Sequence, residues 1–166
     1  MDSGGDAVDR IMGQWAQVRP DLETEVMELF ARVHRCARGM GERMETAYQA
    51  YGISRGEFDV LATLRRAGEP YTLSPRELTA TLMLTSGGMT GRLDRLEKAG
   101  LVRRSPDPHD RRGLRVTLTP AGLDLLDRAV TGGAEVQRRS TEQLTPDQIA
   151  QLNGLLRRLL AGVDAM

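Results

Sequence analysis

The chain has 166 residues, of which 40% are hydrophobic and 28% charged, and its formal net charge is zero. This length and balance are typical of one soluble globular domain, and no stretch approaches the roughly 18 apolar residues that a membrane-spanning helix needs. The first residues lack a basic segment followed by an apolar run, so we expect no secretion signal and no membrane association. Cys36 is the only cysteine, which excludes an internal disulfide and is consistent with a protein of the reducing cytoplasm.

A long amphipathic helix is predicted first, over residues 22–51. Apolar residues recur in it at steps of three and four and form one stripe: Val26, Phe30, Val33, Ala37, Met40, Met44, Tyr48 and Tyr51. A shorter helix is predicted over residues 54–67, because Ser54 and Glu57 have the spacing of a capping box. A glycine follows each of the two segments and indicates where each helix ends.

Two shorter helices, over residues 75–82 and 86–99, follow with a three-residue break between them. Ser74 and Glu77 have the spacing of a second capping box, and Pro75 fits the first helical position, where its missing N–H needs no partner. This order is that of a helix-turn-helix, in which the second helix enters the major groove of DNA. A plain helical hairpin in a protein core would show the same pattern, so this signal alone is weak.

Two segments, residues 101–104 and 114–118, are predicted as strands. The second of them alternates apolar with polar or charged residues. The intervening residues 105–113 are rich in proline, aspartate and glycine, so we expect a hairpin with a long, charged tip. A basic hairpin directly after the two helices greatly strengthens the DNA-binding interpretation.

Two further helices are predicted to begin at the Thr-Pro pairs 119–120 and 145–146. The first should extend to about residue 142, but Gly132 and Gly133 interrupt it. Because each interior glycine costs roughly 1 kcal/mol relative to alanine, we expect a kink or a break there. The second helix carries an apolar stripe that consists of Ile149, Leu152, Leu155, Leu156, Leu159, Leu160 and Val163. A single short helix cannot bury this stripe on its own lobe, so we predict a dimer interface.

Charge is distributed unevenly along the chain, although it sums to zero. Residues 85–115 contain eight cationic and four acidic side chains, a local net charge of +4. A basic face on an otherwise acidic body suits a protein that binds double-stranded DNA in one orientation. The candidate DNA contacts are small, polar or cationic residues of the second helix and the hairpin: Thr85, Ser86, Gly87, Thr90, Arg92, Arg95, Arg103, Arg111 and Arg112.

Each group of these candidates has its own physical reason. Small residues at the start of a helix allow the backbone to approach DNA, and the free N–H groups there can bind a phosphate. Arginines reach guanine edges in the major groove, and Arg111 and Arg112 at the hairpin tip can enter the minor groove, where the potential is most negative. Asp110 is close enough in sequence to stabilise the wing by holding Arg112 in a charge-assisted hydrogen bond. A solvated turn without a partner is the alternative interpretation of this tip.

A resemblance to the MarR family of bacterial transcriptional regulators rests on the run SPRELTATLMLTSGGMTGRLDRLEKAGLVRRSPDPHDRRGLRVTLTPAGLDLL. It is close over residues 54–126, where DRR followed by LRVTLTPAG is quite specific, and looser in the helical flanks. The resemblance implies a mainly α-helical winged helix-turn-helix protein with a small β-hairpin. It implies N-terminal dimerisation helices with an extra first helix (1–53), a DNA-binding lobe (54–118) and C-terminal dimerisation helices (119–166). It further implies a homodimer on a pseudo-palindromic operator, with ligands bound between the dimer helices and the DNA-binding lobe.

A finer resemblance is to the branch of this family that responds to urate and trans-aconitate. It rests on DRIMGQW followed by RP in the extra first helix, and on RGEFDVLATLRRAG and LTSGGMTGRLDRLE. In that branch a tryptophan, an aspartate and two arginines are associated with the ligand response, and the matching residues are Trp15, Asp59, Arg92 and Arg104. This resemblance implies that a small organic anion, a polycarboxylate or a urate-like heterocycle, lowers the affinity for DNA. Before the anion binds, we expect Asp59 to hold one of the two arginines.

The same four residues have plain structural interpretations as well. A lone tryptophan is more often a core residue, an aspartate near a helix start is favoured by the helix dipole, and the two arginines could contact a phosphate or lie on a strand face. The sequence also departs from the family in two places. His109 stands where an acidic residue is expected, and the glycine pair at 132–133 replaces a continuous helix.

Other functions remain as alternatives. Cys36 lies near His34, Arg35 and Arg38 and could act as a redox sensor, and a DNA-binding protein without a ligand is the third possibility. No nucleophile–base set, glycine-rich phosphate loop or metal-ligand cluster is recognisable, so we expect no enzyme activity, no cofactor and no metal. The chain has six aromatic residues, which are not clustered on the predicted strands. This argues against a protein that binds RNA or single-stranded DNA by base stacking.

Overall fold

The computed structural model describes residues 5–83, 85–108 and 110–165, without the side chains of Ser86, Arg111 and Arg112. Within these residues the chain is mainly helical with one small antiparallel sheet, as predicted. The helices are α1 (Ala7–Val18), α2 (Thr24–Gln49), α3 (Arg55–Arg66), α4 (Pro75–Leu82), α5 (Ser86–Lys98), α6 (Pro120–Ser140) and α7 (Pro146–Asp164). The strands are β1 (Thr72–Leu73), β2 (Val102–Asp107) and β3 (Asp110–Leu118).

Side-chain caps determine where the central helices begin, as the sequence predicts. The hydroxyl groups of Ser54 and Ser74 accept hydrogen bonds from the backbone N–H groups of Glu57 and Glu77. In return, each glutamate carboxylate accepts a hydrogen bond from the backbone N–H of its serine, at 2.8 and 2.7 Å. Both predicted capping boxes are therefore confirmed.

Glycines end three helices in the way that the sequence predicts. Gly52, Gly68 and Gly100 have positive φ angles of 75°, 79° and 71°. This left-handed backbone is favourable for glycine and stops a helix. The predicted ends of α2, α3 and α5 consequently lie within two residues of the observed ones.

The sheet corrects the sequence prediction in two respects. β1 was not predicted, because two residues are too few for an alternation pattern, and it pairs with β3 through Thr72 opposite Thr117. β2 and β3 extend until Asp107 lies opposite Asp110, so most of the predicted long tip belongs to the paired strands. His109 lies outside the described residues. We call the β2–β3 hairpin the wing.

Pairing between strands explains why the turn-forming residues of the wing did not end the strands. The strand order is β1-β3-β2, so β2 is an edge strand. An edge strand tolerates proline, because on its open side no neighbouring strand needs a hydrogen bond from a backbone N–H. Pro106 pairs opposite Leu114, beside a register shift. A Cβ at Gly113 would lie 3.0 Å from the Cβ atoms of Asp107 and Asp110, so glycine permits a close approach here.

The expected kink at Gly132–Gly133 is wrong. α6 runs without interruption from Pro120 to Ser140, and Gly133 is buried. A Cβ at Gly132 would lie only 2.4 Å from the hydroxyl oxygen of Tyr51. The glycine therefore makes room for a neighbouring side chain, and the packing it allows outweighs its low helix propensity.

The chain divides into two compact units, Met1–Met44 and Glu45–Met166. In the first unit the extra helix α1 is present, and Arg32 of α2 forms ion pairs with Asp6 and Asp9 at 3.0 and 2.6 Å. In the second unit α3, α4, α5, α6 and the sheet share a core whose fully buried members include Leu61, Leu64, Leu78, Leu93 and Leu126. The functional division at residues 53 and 118 stays a prediction. No helix in the described part of the chain is long and apolar enough to cross a membrane.

The predicted apolar stripe of α7 is uncovered in this chain. None of the residues of α7 is buried. Its exposed large apolar side chains are Leu152, Leu155, Leu156, Leu160 and Val163. A contiguous apolar surface of this kind on a globular protein marks an interaction site.

Candidate nucleic-acid interface

α5 has one buried face and one exposed face. Met89, Leu93 and Leu96 are at most 2% exposed and anchor the helix in the core of the second unit. They recur at steps of three and four, so the residues between them face outward. The burial of this apolar face decides which side chains of α5 are available to a partner.

The start of α5 is open, and three of the candidate DNA contacts lie there. The hydroxyl of Thr85 caps the helix by accepting a hydrogen bond from the backbone N–H of Gly88, at 3.3 Å. Gly87 and Thr90 are exposed, and a Cβ at Gly87 would meet no atom within 4 Å. The side chain of the fourth candidate, Ser86, lies outside the described residues.

Arg95 forms an ion pair with the capping-box residue of α3. Its Nε donates to Oε1 of Glu57 at 2.6 Å, although the Arg95 side chain is 62% exposed. Glu57 is buried. Burial alone would raise the pKa of Glu57, but hydrogen bonds from Ser54 and Arg95 outweigh it and hold that pKa below its usual value. Arg95 therefore fixes α5 against α3, a role that the sequence did not suggest.

Arg92 lies against the backbone of α3. A Cβ at Gly56 would lie 2.6 Å from Cζ of the Arg92 guanidinium, so the absence of a side chain at Gly56 makes room for this group. Arg92 is half-buried, whereas a free DNA contact would be exposed before binding. Its guanidinium thus rests one helical turn before Asp59, which follows Gly56 by three residues on the same helix.

Asp59 lies beside an aromatic pair. The rings of Tyr48 and Phe58 stack with their centroids 3.9 Å apart. Burial raises the pKa of Tyr48, and the nearby Asp59 carboxylate adds to this rise. Among the ion pairs of the described residues, none joins Asp59 to Arg92 or Arg104. The expectation that Asp59 holds one of the two arginines is therefore wrong for this structure.

Arg104 is instead held by two carboxylates of α5. Its guanidinium lies 2.6 Å from Glu97 and 2.7 Å from Asp94. The backbone N–H of Arg104 also donates to Glu97, at 2.9 Å. Hydrogen bonds from Arg104 hold the pKa of Glu97 below its usual value. Because Arg104 belongs to β2, these bonds join the wing to α5.

The structure places the remaining wing candidates only in part. Arg103 is exposed on β2 and lies opposite Thr117. Arg111 and Arg112 belong to β3, but their side chains lie outside the described residues. Asp110 is exposed where β3 begins, and its predicted bond to Arg112 stays a prediction.

Sequence reasoning assigned no role to Arg115 of β3. Its guanidinium lies 3.4 Å from Glu77 of α4 and 3.8 Å from Asp107 of β2. The alternation of β3 showed only that this residue lies on one face of the strand. Its partners are 38 residues and 8 residues away, so no local pattern could identify them.

Two candidates lie in the first unit. Trp15 is on α1 and is 39% exposed, and its predicted link to an effector rests on the resemblance alone. Cys36 is exposed on α2. Within the described ranges, no group of three histidine, cysteine, aspartate or glutamate residues could hold a metal ion.

The sequence of this chain is similar to a known family and to two known regulators. A model described as the MarR family matches residues 51–113, which include α3, α4, α5 and most of the wing. The transcriptional regulator PecS of Dickeya dadantii is 37% identical over 152 residues, which are 92% of this chain and 92% of that protein. The multiple antibiotic resistance protein MarR of Escherichia coli is 30% identical over 84% of this chain and 96% of its own.

Solved structures show the same fold. A mutant MarR from Escherichia coli complexed with operator DNA superposes with a TM-score of 0.71, at 30% identity, and covers 84% of this chain and 98% of that one. AbsC of Streptomyces coelicolor, a MarR family transcriptional regulator, superposes with a TM-score of 0.74 at 23% identity, over 87% of this chain and 99% of that one. The second likeness supports the fold alone.

Proposed function

This chain belongs to the MarR family of DNA-binding transcriptional regulators, and from that premise we propose that it is a cytoplasmic, homodimeric repressor that a small organic anion releases from its operator. One observation carries this proposal. Of the two arginines associated with an effector, Arg104 is bonded to Asp94 and Glu97 of α5, and Arg92 of α5 lies against Gly56 of α3. A ligand that attracts either guanidinium would therefore act directly on the helix that binds DNA.

The DNA contacts that we propose follow from the exposed face of α5 and from the wing. Thr85, Gly87 and Thr90 would meet the major groove, where the free N–H groups at the helix start also favour a phosphate. Arg103 of the wing would contact a phosphate, and Arg111 and Arg112 would enter the minor groove. Arg95 can add a contact through the exposed part of its side chain while its Nε stays bonded to Glu57.

The apolar stripe of α7 supports a homodimer. Its five exposed apolar residues would find cover against a second copy, together with the N-terminal helices. Two copies related by a twofold axis would place two α5 helices on one face, so we expect a pseudo-palindromic operator. The centres of its half-sites should be about 10 base pairs apart, or a multiple of this, to match the helical repeat.

The effector would act on the junctions between α3, α5 and the wing. An organic anion is a competitor for Glu97 and Asp94 at Arg104, because a planar guanidinium binds carboxylates in two-point geometry. It could also bind Arg92 where this guanidinium passes Gly56, close to Asp59. Either event would tilt α5, to the extent that the anion binds the DNA-free shape more tightly than the DNA-bound shape. A polycarboxylate or a urate-like heterocycle has the required charge, and Trp15 is kept as a predicted fourth residue.

The test measures the affinity for a fluorescent operator duplex by anisotropy, in titrations with urate, trans-aconitate and citrate. We expect at least one of these anions to weaken DNA binding and to change the emission of Trp15, the only tryptophan, over the same concentration range. Asp59→Asn should shift the midpoint of release, whereas Asp124→Asn, at an exposed aspartate of α6, should not. If none of the anions alters DNA affinity, the proposed response is wrong. If release occurs with equal midpoints in Asp59→Asn and the parent, the residue assignment alone is wrong.

A further inference from the structure

Arg115 lies between the helix-turn-helix and the wing. It belongs to β3, the central strand, and its side chain is 33% exposed. Nη1 is 3.4 Å from Oε2 of Glu77 at the start of α4, and Nε is 3.8 Å from Oδ2 of Asp107 at the end of β2. One guanidinium thus contacts a helix on one side and the far end of the wing on the other.

Both acidic partners are held in place by other bonds or contacts. Oε2 of Glu77 accepts the backbone N–H of Ser74 at 2.7 Å, as part of the capping box. Hydrogen bonds from Ser74 hold the pKa of Glu77 below its usual value, so this partner stays ionised at neutral pH. Asp107 is only 16% exposed and packs over Gly113, where a Cβ would lie 3.0 Å from its own. The positions of the two carboxylates are therefore well defined.

The wing is joined to α4 at one end, where β1, which directly precedes α4, pairs with β3. An open groove of about 680 Å³ lies between the wing and α4, and its lining includes Pro75, Ala80 and Leu114. A groove of this size leaves apolar contacts unmade on both walls. The ion pair of Arg115 with Glu77 bridges this groove, and the pair of Arg115 with Asp107 lies within the wing.

We propose that Arg115 is a positioning residue for DNA binding: it ties the first turn of α4 to the wing and so sets where the wing tip lies relative to α5. α4 and α5 form the helix-turn-helix, which occupies the major groove, while the wing tip reaches the minor groove. The distance between these two contacts is therefore set partly by Arg115. This inference rests on the wing contact described in the proposed function.

The inference is tested by a double-mutant cycle on operator affinity in the full-length protein. Arg112→Ala measures the contribution of the wing tip, and Arg115→Met removes the bridge but keeps the apolar stem of the side chain. We expect Arg115→Met alone to weaken operator binding by about threefold to fivefold. This fold-change corresponds to the free energy that a partly exposed ion pair contributes. Arg112→Ala should weaken binding by about tenfold or more in the parent. In the Arg115→Met background, Arg112→Ala should weaken operator binding by less than about threefold, because the misplaced wing tip has already lost its contact with DNA.

Two controls separate positioning from folding and from overall charge. Glu77→Gln keeps an amide oxygen for the capping box but removes the charge, and it should reproduce the loss of Arg112 coupling in a protein that stays folded, with only a small decrease of the unfolding midpoint in urea. Arg128→Leu removes an exposed arginine that is paired with Asp124 on α6, and the effect of Arg112→Ala should stay at its full size there. Equal effects of Arg112→Ala in the parent and in Arg115→Met would overturn the inference alone. No effect of Arg112→Ala in the parent would overturn the proposed wing contact and the inference with it.

Discussion

The backbone N–H and the guanidinium of Arg104 both donate to the carboxylate of Glu97, so that one side chain of α5 holds β2 at two points. The three distances are 2.9, 2.8 and 2.6 Å. The strand that begins the wing is thereby joined to the helix that we expect in the major groove. The contribution of this junction to the free energy of unfolding should depend on pH, because the Glu97 carboxylate can be protonated.

We predict that Glu97→Gln lowers the free energy of unfolding at pH 7, and that its difference from the parent shrinks as the pH falls. The folded-state pKa of Glu97 lies below the ordinary value of 4.5. Its contribution to stability is therefore complete above about pH 4.5 and is lost as the pH falls through the folded-state pKa. Urea unfolding between pH 7 and pH 3 measures this. Glu25→Gln, at an exposed position of α2, serves as the control, and a difference that stays constant with pH would contradict the prediction.

Gly56→Ala should leave the fold intact but alter DNA binding. The new Cβ would lie 2.6 Å from the Arg92 guanidinium, which is the mobile end of a long side chain and can move away. The helix itself gains up to about 1 kcal/mol from the exchange of glycine for alanine. Gly39→Ala is the matched control, because no atom lies within 4 Å of a Cβ there. We expect both variants to fold, and only Gly56→Ala to change the operator affinity or the midpoint of anion release.

Gly132→Ala should destabilise the protein by about 1–3 kcal/mol, as overpacking usually does, despite the higher helix propensity of alanine. The new Cβ would lie 2.4 Å from the hydroxyl oxygen of Tyr51, at the end of a rigid ring. Adding Tyr51→Phe removes that oxygen and should restore most of the lost stability. Urea unfolding of the two single variants and the double variant provides the cycle, and a double variant as unstable as Gly132→Ala would argue against this contact.

If the chain is a dimer through α7, as proposed, Leu152→Glu should convert it into a monomer at micromolar concentration. Leu152 is 46% exposed within the apolar stripe of α7, and a carboxylate there would be buried without a partner in the dimer. Ala161→Glu adds the same charge to the opposite side of this helix, at an angle of about 180° from Leu152 at 100° per residue. Sedimentation velocity should find a monomer for the first variant and a dimer for the second. A dimer of Leu152→Glu as stable as the parent would place the interface elsewhere.

Cys36→Ser is expected to bind the operator and to respond to an anion as the parent does. Cys36 is exposed on α2, and the sequence contains no second cysteine that could resolve an oxidised thiol. Anisotropy titrations with dilute hydrogen peroxide compare the two proteins. Release of the parent by peroxide, with the serine variant still bound, would support a redox sensor and contradict this prediction.

Local chemistry made the helices predictable. A capping box such as Ser54 with Glu57, or a glycine such as Gly100 after a helix, depends on neighbours within four residues, which a single sequence displays. The wing was harder, because the pairing of Pro106 with Leu114 outweighs the turn preference of the residues between them. β1 was missed for a related reason, since its two residues form a strand only through β3.

The sequence names candidate residues for the site, whose roles stay predictions, but it does not identify the partners of these residues in the fold. Arg92, Arg95 and Arg104 were identified as functional cations, yet the groups that hold them lie on other elements. Gly56 makes room for Arg92 from a distance of 36 residues, and Glu57 pairs with Arg95 across 38 residues. Periodicity carries no information on such contacts, so the bonds that hold α5 could be found only in the folded protein.

The place of Pro106 in an edge strand also bears on how this protein behaves when it is crowded. An open strand edge can recruit a strand from another molecule, and runs of unpaired N–H groups invite this association. β2 lacks one N–H at Pro106, changes register between Pro106 and Asp107, and carries the exposed charge of Arg103. These features make β2 a poor template for another strand. Two molecules that meet at this edge are therefore expected not to form a shared sheet.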